Sequence, residues 1–266
     1  MSKILLVGAG HMGGALATGW VGSGVNPADI IIIDPAPGDA AKALMSMGAA
    51  HYDRPDAKNL SDIHSAVIAV KPQMFEQLAQ PTAQALPEDC TVISVMAGTA
   101  MKTLDAAFAP RDIVRAMPNT PAALGQGLTA IFAPSGTAAE KLARRLLSPS
   151  GLVITVDKEV LIDVITAVSG SGPAYVFHMV EALQAAAIRA GLPEDLAGIA
   201  ARQTLIGAAA LLDDSENSAS DLRAAVTSPN GTTQAGLEVL MSDDGLPQLM
   251  RKTVMAAFER ANELGG

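Results

Sequence analysis

Ile4-Leu5-Leu6-Val7-Gly8-Ala9-Gly10-His11-Met12-Gly13 is a run of strand-forming residues, then a glycine-spaced turn, then the start of a helical segment over Met12–Gly22. A lone G-x-G-x-x-G spacing says little. Here a strand precedes it, a helix follows, and a second apolar run, Ile30–Ile33, comes about 20 residues on. In that setting Gly8 permits a tight turn, Gly10 lets backbone approach a pyrophosphate, and Gly13 lets the helix lie close on the sheet. The helix start at His11 and Met12 attracts the phosphate charge. The competing reading is a tight turn that holds no ligand. Asp34 ends the second strand. An acid there accepts hydrogen bonds from the adenosine ribose hydroxyls and repels a 2′-phosphate, and the next basic residue is Lys42, so NADH is favoured over NADPH. Asp34 also reads as the residue that opens the Pro35-Ala36-Pro37-Gly38 turn, and both readings stay open.

Outward from this unit the first half keeps the same alternation. Further strands are expected at Ala66–Val70, Thr91–Val95, Ile113–Ala116, Leu128–Phe132 and Leu152–Thr155, with a helix at Asp39–Met47 among those between. Continuous apolar runs of this kind suit strands buried on both faces, so the fold class is α/β with a doubly wound, largely parallel sheet. After Asp157 strand signals stop. Helices are expected over 173–190, 194–212, 218–226, 232–241 and 246–264, which places a dinucleotide-binding domain at 1–156 and an all-α domain at 157–266. Many of these helices are apolar nearly all round, and so short a segment cannot hide every face internally; an oligomer follows.

Composition narrows the function classes. The net charge is −9 and only 17% of residues are charged, so no basic face offers itself to nucleic acid. Mean hydropathy is +0.30, which raises the question of a membrane. The uncharged run 4–28 carries seven glycines, and the run 164–180 contains Ser169-Gly170-Ser171-Gly172-Pro173, which is expected to interrupt a helix, so neither reads as a membrane span or a signal peptide. The single cysteine, Cys90, fits a reducing cytoplasm. His11, His51, His64 and His178 are scattered without ligand spacing, so no metal site is expected. His178 on its apolar helix reads as a core histidine.

Ligands of open parallel sheets sit beyond the carboxyl ends of strands, so Ala69, Val70 and Lys71, then Met96, Ala97 and Gly98, are placed to touch a cofactor. Lys71 reads equally as a solvated lysine. Arg115-Ala116-Met117-Pro118-Asn119-Thr120-Pro121 also leaves a strand end, in a loop stiffened by its prolines.

Together with Ser169–Tyr175 and Thr227-Ser228-Pro229-Asn230-Gly231-Thr232-Thr233, these motifs resemble Δ1-pyrroline-5-carboxylate reductases from Lys3 to about Leu264. The resemblance implies an N-terminal Rossmann-type domain, an all-α C-terminal dimerisation domain, and homodimers often assembled as decamers of five dimers. It implies NAD(P)H-dependent reduction of a cyclic imino acid, 1-pyrroline-5-carboxylate, to L-proline. Thr233 matches the family threonine at the imine nitrogen, and Gly231 and Thr232 match the loop that holds the carboxylate. Ser228 and Asn230 belong to that loop, and Asn119 lies in the motif beside the cofactor; Glu216 falls where the family often has a glutamate, and reads equally as part of the solvated acidic turn Asp213-Asp214-Ser215-Glu216. The loop's free N–H groups and helix dipole agree with a carboxylate site.

The chain departs from the family pattern in reading Pro-Asn-Gly for Pro-Gly-Gly, in Ala219 for a common proline, and in Asp34, where many members carry residues that accept the NADP phosphate. Two other readings compete. A β-hydroxyacid dehydrogenase needs a lysine base on the first long C-terminal helix, and Pro173–Ala190 holds none. A non-catalytic nicotinamide-nucleotide sensor has no need of the Thr233 loop.

Overall fold

The structure is a computed structural model and describes residues 3–265. The chain alternates β1 (Lys3–Val7), α1 (His11–Gly22), β2 (Ile30–Ile33), α2 (Asp39–Ser46), β3 (Ala50–Tyr52), α3 (Ala57–Leu60), β4 (Ile63–Ile68), α4 (Pro72–Ala85), β5 (Thr91–Ser94), α5 (Met101–Phe108) and β6 (Ile113–Met117). Next come β7 (Gly127–Phe132), α6 (Ala138–Leu147) and β8 (Gly151–Val156). Helices follow: α7 (Val160–Ile165), α8 (Gly172–Arg189), α9 (Glu194–Asp214), α10 (Ala219–Ala225), α11 (Thr232–Leu240) and α12 (Leu246–Gly265).

The strands form one sheet in the order β3-β2-β1-β4-β5-β6-β7-β8, parallel except where β6 meets β7. The order reverses between β1 and β4, whose ends Val7 and Ile68 are paired. This is the switch point at which open α/β sheets bind ligands. Alternate residues of each strand feed two cores. Ile4, Leu6, Ile30, Ile32, Val67 and Ile93 enter one, and Leu5, Val7, Ile31, Ile33, Ile68 and Val92 the other. Each such buried aliphatic side chain contributes about 1.5–3 kcal/mol. That double burial is why the runs are apolar without alternation.

All seven expected strands are present. β4 lies earlier than expected, so Ala69 and Val70 fall in the turn beyond its end. β3 carries no sequence signal: three residues, Ala50-His51-Tyr52, are too few to show a period, and pairing with β2 defines them.

The expected interruption at Ser169–Pro173 is corrected by the structure. The chain stays helical from Val160 to Arg189. Thr166–Gly170 winds one π turn, in which the Ser171 N–H donates to the Thr166 carbonyl at 2.9 Å. Pro173 has no N–H for the Ser169 carbonyl four residues back. Asn119 Nδ2 supplies the donor instead, at 3.2 Å. This stretch and Glu194–Asp214 are long and apolar enough, by length and composition only, to cross a membrane.

By packing, the chain divides into two units. One comprises residues up to Ser171 with those from Ala257, and the other Gly172–Ala256. Strands give way to helices after Val156, but α7 still packs on β6 and β7 in the first unit. In the second unit Ala197 and Ala201 are the buried hydrophobics among the described residues, while Phe177, Ile199, Leu211, Val226 and Val239 are each more than half exposed. His178 is likewise exposed, with Nδ1 3.0 Å from Glu181 Oε2, and is not a core histidine within this chain.

Candidate active site

The loop from Gly8 to Gly13 has the shape that the glycine spacing demands. Gly8 sits at φ +90°, and a Cβ there would lie 2.7 Å from the Ala69 carbonyl oxygen and 2.8 Å from Val70 Cγ1. At Gly13 a Cβ would collide with the Gly8 carbonyl. At Gly10 it would meet nothing within 4 Å, so the open space of the turn faces this residue. Gly10 is also the N-cap of α1, which has no side-chain cap and no acidic residue in its first turn. The first-turn N–H groups, including those of His11 and Met12, are therefore available to a diphosphate. These residues fit a dinucleotide.

Asp34 is tied into this loop. Its Oδ2 accepts the Ala9 N–H at 2.6 Å and its Oδ1 accepts the Ala36 N–H at 2.8 Å. The turn expected at Pro35–Gly38 thus forms on Asp34, and each carboxylate oxygen keeps a further lone pair for a ribose hydroxyl. His51 on β3 approaches the Asp34 carbonyl at 2.8 Å through Nε2.

Around the same end of the sheet, Ala69 and Val70 close against Gly8, and Lys71 is exposed as the N-cap of α4. Met96 is buried, Ala97 exposed, and Gly98 turns at φ +65° with its Cα facing Leu264 near the end of α12, where a Cβ would come within 3.1 Å of Leu264 Cβ. The Asn119 amide is held at both ends. Its Nδ2 donates to Ser169 Oγ at 2.9 Å, and its Oδ1 accepts the Leu128 N–H at 2.8 Å.

Arg115 carries no signal of its own in the sequence beyond being a charge in the apolar strand Ile113–Met117. In the structure its side chain is 4% exposed and donates to Glu159 Oε1 and Asp163 Oδ1, both at 2.7 Å. Burial of a cation is tolerable only with such pairing.

In the second unit, Thr227–Gly231 leads into α11. Ser228 and Gly231 close a turn through the Gly231 N–H and the Ser228 carbonyl at 3.0 Å. Asn230 sits at φ +58°, the left-handed region that asparagine tolerates better than most residues. Its N–H donates to Gln234 Oε1 at 2.8 Å, a support for the loop that the sequence did not reveal. Gly231 caps α11 without a side-chain bond, and no acidic residue stands in the first turn. The N–H groups there, with the exposed Thr232 and Thr233, make an anion-accepting surface. Glu216 is exposed, just ahead of the Ser218–Asp221 capping box of α10, and makes no hydrogen bond or ion pair among the described residues.

A cleft of about 680 Å³ is lined by Met101, Ile113, Phe132, Glu140, Thr155 and Val156 among others. Glu140 there accepts from Thr155 Oγ1 and from the Gly136 N–H, both at 2.6 Å.

Comparison with known proteins gives two family matches. Residues 159–264 match the family described as pyrroline-5-carboxylate reductase dimerisation, and residues 3–98 match one described as NADP oxidoreductase, coenzyme F420-dependent. The chain is 37% identical to a Pseudomonas aeruginosa pyrroline-5-carboxylate reductase, across 98% of this chain and 96% of that protein. A Coxiella burnetii pyrroline-5-carboxylate reductase structure superposes with TM-score 0.90 at 34% identity, covering 100% of this chain and 99% of the other. A Plasmodium falciparum pyrroline carboxylate reductase with NADP bound gives TM-score 0.82 at 25% identity, covering 99% and 98%. Neither the hydroxyacid dehydrogenase nor the non-catalytic sensor is favoured by these likenesses.

Proposed function

The chain belongs to the pyrroline-5-carboxylate reductase family, and from that premise we propose that its residues divide the reduction of 1-pyrroline-5-carboxylate to L-proline as follows. The observation that carries the substrate half is the uncapped start of α11, with Thr233 in its first turn. The N–H groups of Thr232 and Thr233 receive the imino acid's carboxylate, with Ser228, Asn230 and Gly231 shaping the loop. Thr233 offers its hydroxyl to the ring nitrogen. As the C=N electron pair moves onto nitrogen, that hydrogen bond strengthens and helps the nitrogen to end protonated, so it stabilises the transition state more than the ground state. Glu216 is assigned to the same substrate side.

Bound NAD(P)H supplies the hydride. Gly8, Gly10, His11, Met12 and Gly13 hold its diphosphate, and Asp34 its adenosine ribose. Ala69, Val70, Lys71, Met96, Ala97, Gly98 and Asn119 border the rest. Asp34, with no arginine or lysine beside it, supports NADH working at least as well as NADPH. The exposed apolar helices of the second unit support a homodimer, with five dimers in a decamer as the larger assembly, working in the cytoplasm on the 157–266 half as dimerisation and substrate domain.

Thr233→Ala tests the assignment. It should lower kcat roughly 10- to 100-fold while the cofactor dissociation constant changes less than about twofold. An unchanged kcat removes Thr233 from the reaction.

A further inference from the structure

The Arg115–Pro121 motif brings a buried cation that the proposed chemistry does not use. Arg115 is paired with Glu159 and Asp163, which lie four residues apart and so share one helix face. Glu159 does more than neutralise it. The same Oε1 that accepts Arg115 Nη1 at 2.7 Å also accepts the backbone N–H of Met101 at 2.7 Å. Met101 is the first residue of α5, directly after the Met96–Ala100 turn. A second link, from Asn119 to Ser169, joins the β6-end loop to the same segment. Two strand-end segments, 96–100 and 117–121, are thus anchored on one element, residues 159–170. The Gly8–Gly13 loop is anchored elsewhere, through the Ala9 N–H on Asp34.

In doubly wound sheets the first three strands serve the adenosine half of a dinucleotide and the next three the other half. We infer that Glu159 is a positioning residue for the nicotinamide half of the cofactor site, acting through the Met101 N–H and Arg115 and not by touching the cofactor. This rests on the reading of Met96–Gly98 as cofactor contacts. Removing Glu159 frees the α5 start and leaves Arg115 with Asp163 alone, while the adenosine half keeps its own support.

The test compares binding of NADH with binding of ADP, which has the adenosine and diphosphate but no nicotinamide. Glu159→Ala should weaken NADH about tenfold and ADP less than twofold. Glu159→Gln retains an acceptor oxygen and should hold NADH within about threefold of the parent. Met101→Pro is the second probe: proline suits the first helical position and removes the N–H along with the methionine side chain, and the same NADH-against-ADP split is expected there even if Glu159→Ala does not fold. Equal losses for NADH and ADP, or unchanged NADH binding in the folded Glu159→Ala and Met101→Pro proteins, overturns the inference. Parent protein that binds neither ligand overturns the nucleotide-site reading itself, and this inference with it.

Discussion

The Asp34 carboxylate accepts the Ala9 N–H at 2.6 Å, so the residue proposed to receive the ribose also holds the glycine loop in place. Both roles are separable by substitution. Asp34→Ser keeps a short acceptor but loses the charge that repels a 2′-phosphate. The ratio of kcat/KM for NADH to that for NADPH should fall about tenfold, corresponding to roughly 1.4 kcal/mol of discrimination. A parallel fall for both cofactors would reduce Asp34 to a loop support.

The glycine loop yields an opposed pair. A Cβ at Gly10 meets nothing within 4 Å and its φ of −72° suits any residue, so Gly10→Ala should fold as stably as the parent while cofactor affinity drops at least about tenfold. Gly13→Ala meets the Gly8 carbonyl and should lower the melting temperature as well. Calorimetry and cofactor titration on the two variants check this, and a stability loss at Gly10 would show the open space to be filled by protein.

Much of this was legible in the sequence for one physical reason: strands buried on both faces write continuous apolar runs, and the glycines of a phosphate loop are needed where backbone must come close. What was not legible depended on partners far along the chain. β3 exists because Ala50–Tyr52 can pair with β2. The helix runs past Ser169–Pro173 because Asn119 satisfies the Ser169 carbonyl. Arg115 and Glu159, 44 residues apart, reveal their pairing only in three dimensions. Gln234 under Asn230 is local, yet a glutamine at that place has many solvated alternatives.

The second unit leaves Phe177 65% and Ile199 66% exposed within one chain. We propose that the dimer partner covers this apolar area. Phe177→Glu and Ile199→Glu together should shift the molecular mass seen by light scattering from oligomer to monomer, with a far-ultraviolet circular dichroism spectrum that keeps its helical form. An unchanged mass would place the interface elsewhere.

Glu140 contributes to acid stability. Glu140 is held below its ordinary value of 4.5, chiefly by the Thr155 hydroxyl, then by the Gly136 N–H and Arg144. A carboxyl with a depressed folded pKa stabilises the fold above its unfolded value, and that contribution is lost as pH falls through the folded one. The melting temperature of Glu140→Gln should therefore fall less between pH 5 and pH 3 than that of the parent. Equal slopes would remove Glu140 from the acid transition.

The most direct measurement is nicotinamide oxidation at 340 nm by the purified protein, with NADH and with NADPH, before and after addition of 1-pyrroline-5-carboxylate. The account predicts no oxidation without the imine, imine-dependent oxidation with proline formed in equal amount, and NADH at least as effective as NADPH. Absence of imine-dependent turnover with either cofactor contradicts it.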